Sequence, residues 1–143
     1  MLPTVKKTRI MVFGTFDVLH PGHLNFFNQA RKLAKNPYLI VSVARDVNVK
    51  SIKGKKPLHS EKARLQLVKR LPPVDKAVLG GVASPFPHIL KERPAVIALG
   101  YDQSSYVDNL AEALSKKGLK VRIYRLKPYK KAVYKSSLMK KNP

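Results

Sequence analysis

The apolar positions fall into short blocks that switch between two periods, and the switching predicts strands alternating with helices. Ile10 to Phe13 is an apolar run of strand character. After Gly14-Thr15-Phe16-Asp17 and His20-Pro21-Gly22-His23 the pattern changes, and Leu24, Phe27, Ala30, Leu33 and Ala34 recur at helical spacing. Asn36-Pro37 closes that helix, because the residue before a proline is driven out of the α region. Tyr38 to Ala44 is a β-branched run suited to a buried parallel strand, which completes a βαβ unit.

Residues 47–60 (VNVKSIKGKKPLHS) read as a polar, basic loop punctuated by glycine and proline. Ser60-Glu61 then opens a helix with Ala63, Leu65, Leu67, Val68 and Leu71 as its apolar positions, and Pro72-Pro73 stops it. Val74 to Leu79 is a third strand broken by Gly80-Gly81. Residues 85–93 form a short helix or turn closed by Pro94, and Val96 to Leu99 is a fourth strand leading into Gly100-Tyr101-Asp102-Gln103. A helix over Tyr106 to Lys117 ends at Gly118, and Val121 to Leu126 alternates as a fifth strand. The tail, about residues 127–143, carries many lysines and no acid, with Ser136 or Ser137 placed to cap a last helical turn.

Five strands alternating with helices predict an α/β fold: a small, doubly wound, five-stranded parallel sheet of Rossmann-like form, in a single domain over residues 1–143. Such sheets take ligands at the carboxyl ends of their strands, where Arg45-Asp46 and Gly100 to Gln103 fall.

Composition narrows the chemistry. The chain has no cysteine, so a disulfide framework, a thiolate nucleophile and a cysteine zinc site are excluded. No apolar run reaches the roughly 18 residues of a membrane span, and no signal-peptide core opens the sequence, so a cytoplasmic protein is expected. The formal net charge of +21 attracts anions. Nucleic acid is one such anion, but no RRM, KH, zinc-finger or helix-turn-helix signature accompanies the charge. The P-loop pattern GxxxxGK[ST] and the dinucleotide pattern GxGxxG are both absent.

What remains is the strand-loop-helix at residues 10–34. Pro21 suits a first helical position, the first-turn N–H groups and the dipole favour a phosphate, and Gly22 lets a ligand approach the backbone. His20 and His23, three apart, lie on one side of that turn.

Gly14-Thr15-Phe16-Asp17 with His20-Pro21-Gly22-His23 resembles the signature of the HxGH nucleotidyltransferase superfamily, in its cytidylyltransferase-like branch, and the similarity covers nearly the whole chain. Lys53, Lys55-Lys56-Pro57 with Arg64, Val74-Asp75 and Leu99 to Asp102 fall in the order seen in bacterial glycerol-3-phosphate cytidylyltransferases. Val43 to Asp46, Ile52 to Pro57, Gly100 to Gln103 and Tyr129-Lys130-Lys131 look closer to the archaeal FAD synthases, which adenylate FMN. Two departures stand out. Val133-Tyr134-Lys135-Ser136-Ser137 replaces the Arg-Thr-Glu-Gly-Ile-Ser-Thr-Thr type of motif of the cytidylyltransferases, and Ala132-Val133 stand where archaeal FAD synthases often carry a cysteine.

The resemblance implies transfer of AMP from ATP, accompanied by Mg²⁺, to FMN, giving FAD and pyrophosphate. It implies that the backbone at Thr15 and Phe16 cradles phosphates, with Pro21 and Gly22 shaping the turn, while His20 and His23 bind α- and β-phosphate oxygens. Lys53, with Lys55 beside it, closes over the β- and γ-phosphates; Asp102 and Tyr129 hold the nucleoside end. Ser136 and Ser137 either cap a helix or also offer amides to phosphate. The protein itself is expected to supply no metal ligand. Asp17 either fixes a turn or serves the site, and Asp46 either packs or contacts metal or substrate. Phe16, Phe27, Phe86, Tyr101, Tyr106 and Tyr129 are candidates for a flavin slot. The family's habit suggests a homodimer. The alternatives are a cytidylyltransferase making CDP-glycerol or a related CDP-alcohol from CTP, and, from another class, a basic nucleic-acid-binding module on the same scaffold.

Overall fold

The computed structural model describes residues 6–82, 84–100, 103 and 109–128. Five strands, β1 (Thr8–Gly14), β2 (Pro37–Val43), β3 (Lys76–Leu79), β4 (Val96–Leu99) and β5 (Arg122–Arg125), pair in parallel in the order β3-β2-β1-β4-β5. Five helices connect them: α1 (Pro21–Arg31), α2 (Asp46–Lys53), α3 (Glu61–Lys69), α4 (Phe86–Glu92) and α5 (Leu110–Lys116).

Strand alternation divides the core into two layers. Ile10 and Val12 join Leu39, Val41, Val43, Val96 and Ala98 on one face, covered by Phe27 and Ala30 of α1 and Val68 of α3. Met11 and Phe13 join Ile40, Ile97 and Leu99 on the other, covered by Ile89 of α4 and Leu110 and Leu114 of α5. Because β1, β2 and β4 are covered on both sides, their apolar residues run continuously rather than alternating. The expected doubly wound parallel sheet is therefore present.

Element boundaries differ from the sequence pattern in instructive ways. Helix α1 ends at Arg31 rather than at Ala34, because the last turn tightens: Leu33 and Ala34 donate to Ala30 and Arg31, three residues back, while still packing on the core. Residues 47–53, expected to be part of a loop, belong to α2. This helix buries only Val49, so it leaves no apolar period for sequence to show. What holds it is polar. The Asp46 N–H donates to Glu61 Oε1 at 2.9 Å and the Glu61 N–H to Asp46 Oδ2 at 3.2 Å, so the first residues of α2 and α3 cap one another.

Arg64 is the pivot of this region. Its side chain is fully buried, and its guanidinium donates to the carbonyls of His59 (3.0 Å), Thr15 (2.9 Å) and Ala44 (2.8 Å) and to Asp46 Oδ1 (2.6 Å). One side chain thus ties the exits of β1 and β2 to the starts of α2 and α3. Removing it would leave three carbonyls without this donor and Asp46, itself partly exposed, with only the Glu61 amide, and leaving buried acceptors unsatisfied costs about 1–3 kcal/mol. Arg64→Leu should lose about that much in urea unfolding, and Arg64→Lys should recover little of it, since an ammonium cannot reproduce the planar fork. Near-wild-type unfolding of Arg64→Leu would show that the contacts carry no weight.

Candidate active site

Two consecutive turns of backbone follow β1 and lead into α1. After β1, Phe16 adopts a left-handed φ of 55°, rare for a bulky residue and a form of strain that concentrates at functional sites. The turn swings its ring back beneath the strand, where a Cβ on Gly14 would sit 2.5 Å from Phe16 Cζ. Gly14 is therefore a requirement of the Phe16 conformation. The ring lies between Phe27 and His23, with centroids 5.4 Å from each, and meets His23 edge to face at 72°. Phe16 and Phe27 are core residues and so drop out of the candidates for a flavin slot.

His20 then caps α1. The Gly22 N–H donates to His20 Nδ1 at 3.0 Å, and the His20 N–H donates to His23 Nδ1 at 3.2 Å, so the two histidines satisfy amides at the helix start through their δ nitrogens. Their rings stack 3.9 Å apart, 29° from parallel. Burial lowers the pKa of His20; burial, and secondarily the adjacent His20, hold that of His23 down to about 4. At neutral pH both rings are uncharged. A neutral imidazole has one N–H, and since each Nδ1 accepts, the proton is assigned to Nε2 in both. The pair is preset as two Nε2–H donors. Among the described residues nothing accepts from the Thr15 or Phe16 amides, which adds main-chain donors at the same turn.

Asp17 resolves toward the turn-fixing reading. It is 4% exposed, and its two carboxylate oxygens accept from the Leu58 (2.7 Å) and His59 (2.9 Å) amides, fastening the segment before α3 to the turn after β1. Asp46 is engaged with Arg64 and Glu61, as described above. No group of three or more His, Asp or Glu residues able to hold a metal ion occurs among the described residues. The acids near the turn are committed to amides and guanidinium.

The structure thus gathers Thr15, Phe16, His20, Pro21, Gly22 and His23 at one turn. Lys53 closes α2, beside the left-handed Gly54 cap, on the segment leaving β2. Asp102, Tyr129, Ser136 and Ser137 lie outside the described residues. Three further residues frame the site. Arg64 entered the sequence reading only by its order in the chain. Gln103 bridges β1 and β4, and Gln29 of α1 exchanges two hydrogen bonds with the backbone of Lys127, at 2.8 and 3.0 Å. A polar side chain among the apolar positions of α3 was the available signal for Arg64, and the place of Gln103 at the carboxyl end of β4 was the signal for that residue; for Gln29 there was none.

A parallel sheet with a phosphate-ready turn after its central strand and paired histidines at the first helix define a nucleotidyltransferase. The cytidylyltransferase-like family model matches residues 11–142. An FAD synthase of Archaeoglobus profundus is 43% identical over 129 residues, 90% of this chain and 81% of that protein, and one of Methanosarcina barkeri is 48% identical over 119 residues, 83% of each. A crystal structure described as a lipopolysaccharide core biosynthesis protein, from Thermoplasma volcanium, superposes with a TM-score of 0.79 at 35% identity, covering 87% of this chain and 99% of that one. The chain belongs to the cytidylyltransferase-like family, and within it to the FAD synthases.

The histidine environment has a consequence for stability. Folded His23 titrates near 4 and unfolded histidine near 6.5, so as pH falls the unfolded chain binds the proton first. Stability should therefore fall from pH 6.5 to about 4 and then gain no further loss from this group, the total being on the order of 3 kcal/mol. Melting temperatures across that range should drop more steeply for wild type than for His23→Ala. Parallel curves would place the His23 pKa near its ordinary value.

Proposed function

We propose that the protein transfers AMP from ATP to FMN, forming FAD and releasing pyrophosphate. The observation that carries this reading is the pair of amide-fixed histidines at the α1 cap, supported by the FAD synthase relatives. The Nε2–H groups of His20 and His23 and the amides of Thr15 and Phe16 would receive the α- and β-phosphate oxygens, with Pro21 and Gly22 leaving room for close approach. Lys53 would meet the β- and γ-phosphates, and Asp102 and Tyr129 the nucleoside. Ser136 and Ser137 would add amides at the phosphate end.

The FMN phosphate attacks the α-phosphorus in line as the bond to pyrophosphate breaks. A phosphate monoester is largely ionised at pH 7, its second pKa being about 6, so the step needs no strong general base. Positioned donors that strengthen as charge builds supply the rate. Uncharged donors suit this role, because they stabilise phosphate charge without the cost of burying two imidazolium ions side by side. Magnesium would arrive with the nucleotide, held by phosphate oxygens, since the described acids around the turn are already engaged. No helix among the described residues is long and apolar enough to cross a membrane. A homodimer is our reading of the assembly, tested by light scattering.

Two measurements test the reading. Offered ATP or CTP with Mg²⁺, crossed against FMN or glycerol-3-phosphate, the protein should make FAD from ATP and FMN; CDP-glycerol as the chief product would overturn it. His23→Ala should lower kcat by about 10²–10³-fold, the usual cost of one preorganised donor to a reacting oxyanion. Lys53→Ala should slow turnover with little change in melting temperature, since an exposed lysine holds little structure. An unchanged rate would make Lys53 an ordinary surface residue.

A further inference from the structure

The sheet parts between β1 and β4. β1 pairs with β2 along its whole length, from Thr8 to Gly14, but with β4 only at Ile10↔Val96 and Met11↔Ile97. In the order β3-β2-β1-β4-β5 this is also where the winding reverses, the position at which open α/β sheets hold ligands in a crevice beyond the strand ends.

At the mouth of that crevice a side chain takes over from main-chain pairing. Gln103 Nε2 donates to the Phe13 carbonyl at 2.8 Å, and Gln103 Oε1 accepts from the Gly100 N–H at 2.8 Å. The amide orientation follows from its partners, because an N–H only donates and a carbonyl only accepts, so a flip would break both bonds. The carboxamide acts as an inserted peptide unit. Its own backbone is held too: the Gln103 N–H donates to the Gly100 carbonyl at 3.1 Å, and Arg125 Nη1 donates to the carbonyls of Gln103 (2.6 Å) and Gly100 (2.9 Å). The ends of β1, β4 and β5 therefore meet on residue 103. Phe13 leads directly into Gly14 and the phosphate turn.

We infer that Gln103 is a positioning residue for the nucleotide. Its carboxamide fixes the separation between the phosphate turn after β1 and the edge after β4, so that a nucleotide spanning the crevice finds both walls preset. The inference rests on the adenylyltransferase reading in one respect, that a nucleotide lies across this crevice with its phosphates at α1. Gln103 acts through Phe13 and Gly100. Its loss should fall on nucleotide binding and leave the acceptor and the core unaffected.

The test uses the full chain and a non-hydrolysable ATP analogue, with Kd read by calorimetry in the absence of acceptor. Gln103→Met keeps the length and removes both hydrogen bonds; Gln103→Glu keeps the acceptor for Gly100 but sets a carboxylate against the Phe13 carbonyl. Each should raise the analogue Kd about tenfold. The KM for FMN should stay within about twofold, and the melting temperature within about 4 °C. An unchanged Kd in either folded variant overturns the inference, and so does an equal rise in the FMN KM or a larger drop in melting temperature, which would mark Gln103 as a general structural residue. Wild type that binds the analogue but makes no FAD would sink the acceptor reading, while the Kd comparison would still decide the role of Gln103. Wild type that fails to bind the analogue would sink both.

Discussion

One buried guanidinium sets the geometry on which the rest of the site depends. A parallel sheet delivers its loops to a common edge, but it does not by itself fix where they go. Arg64, with no solvent contact, uses four donor contacts to do so, on the main chain at residues 15, 44 and 59 and on Asp46. The contact at Thr15 matters most for function. It anchors the turn in which Phe16 takes its left-handed conformation and supports the His23 ring.

The scarcity of acid in this chain becomes intelligible from the same viewpoint. Of 8 acidic residues against 29 basic, Asp17, Asp46, Glu61, Asp75 and Glu92 each accept hydrogen bonds inside the fold. Asp75 takes the Leu39 amide and Arg31, and Glu92, 5% exposed, takes Arg9 and Lys76. The acids are structural fasteners, and the lysines are left to dominate the surface. A field of that sign gathers anionic substrates of any kind, which is why net charge alone favoured no one partner. The proposed phosphate role rests instead on the local geometry of the α1 cap, where uncharged donors are arrayed.

The sheet was legible because β1, β2 and β4 are covered on both faces and appear as largely apolar runs rather than alternating ones. The turn at residues 14–23 was legible because glycine, proline and two histidines each have a narrow physical use there. Helix α2 was not. It depends on reciprocal capping between Asp46 and Glu61, fifteen positions apart, and a long-range pair of that kind has no period to detect. The glutamine bridges escaped for the same reason: Gln103 falls in the stretch expected at the strand ends, but its bond to Phe13, like that of Gln29 to Lys127, appears only once the fold is known. The tautomeric assignment of the histidines is likewise a property of the cap, which exists only once α1 has formed. In each case the missing information was a tertiary contact, which leaves no period in the sequence.

The central claim is that His20 and His23 stand at neutral pH as uncharged imidazoles protonated on Nε2, preset to donate to phosphate. Histidine ring ¹⁵N chemical shifts, measured on the ligand-free protein at pH 7, read charge and tautomer directly. Both rings should show the neutral Nε2–H form, with His23 keeping it down to about pH 5, above its pKa of about 4. Imidazolium shifts at pH 7, or a proton on either Nδ1, would contradict the claim.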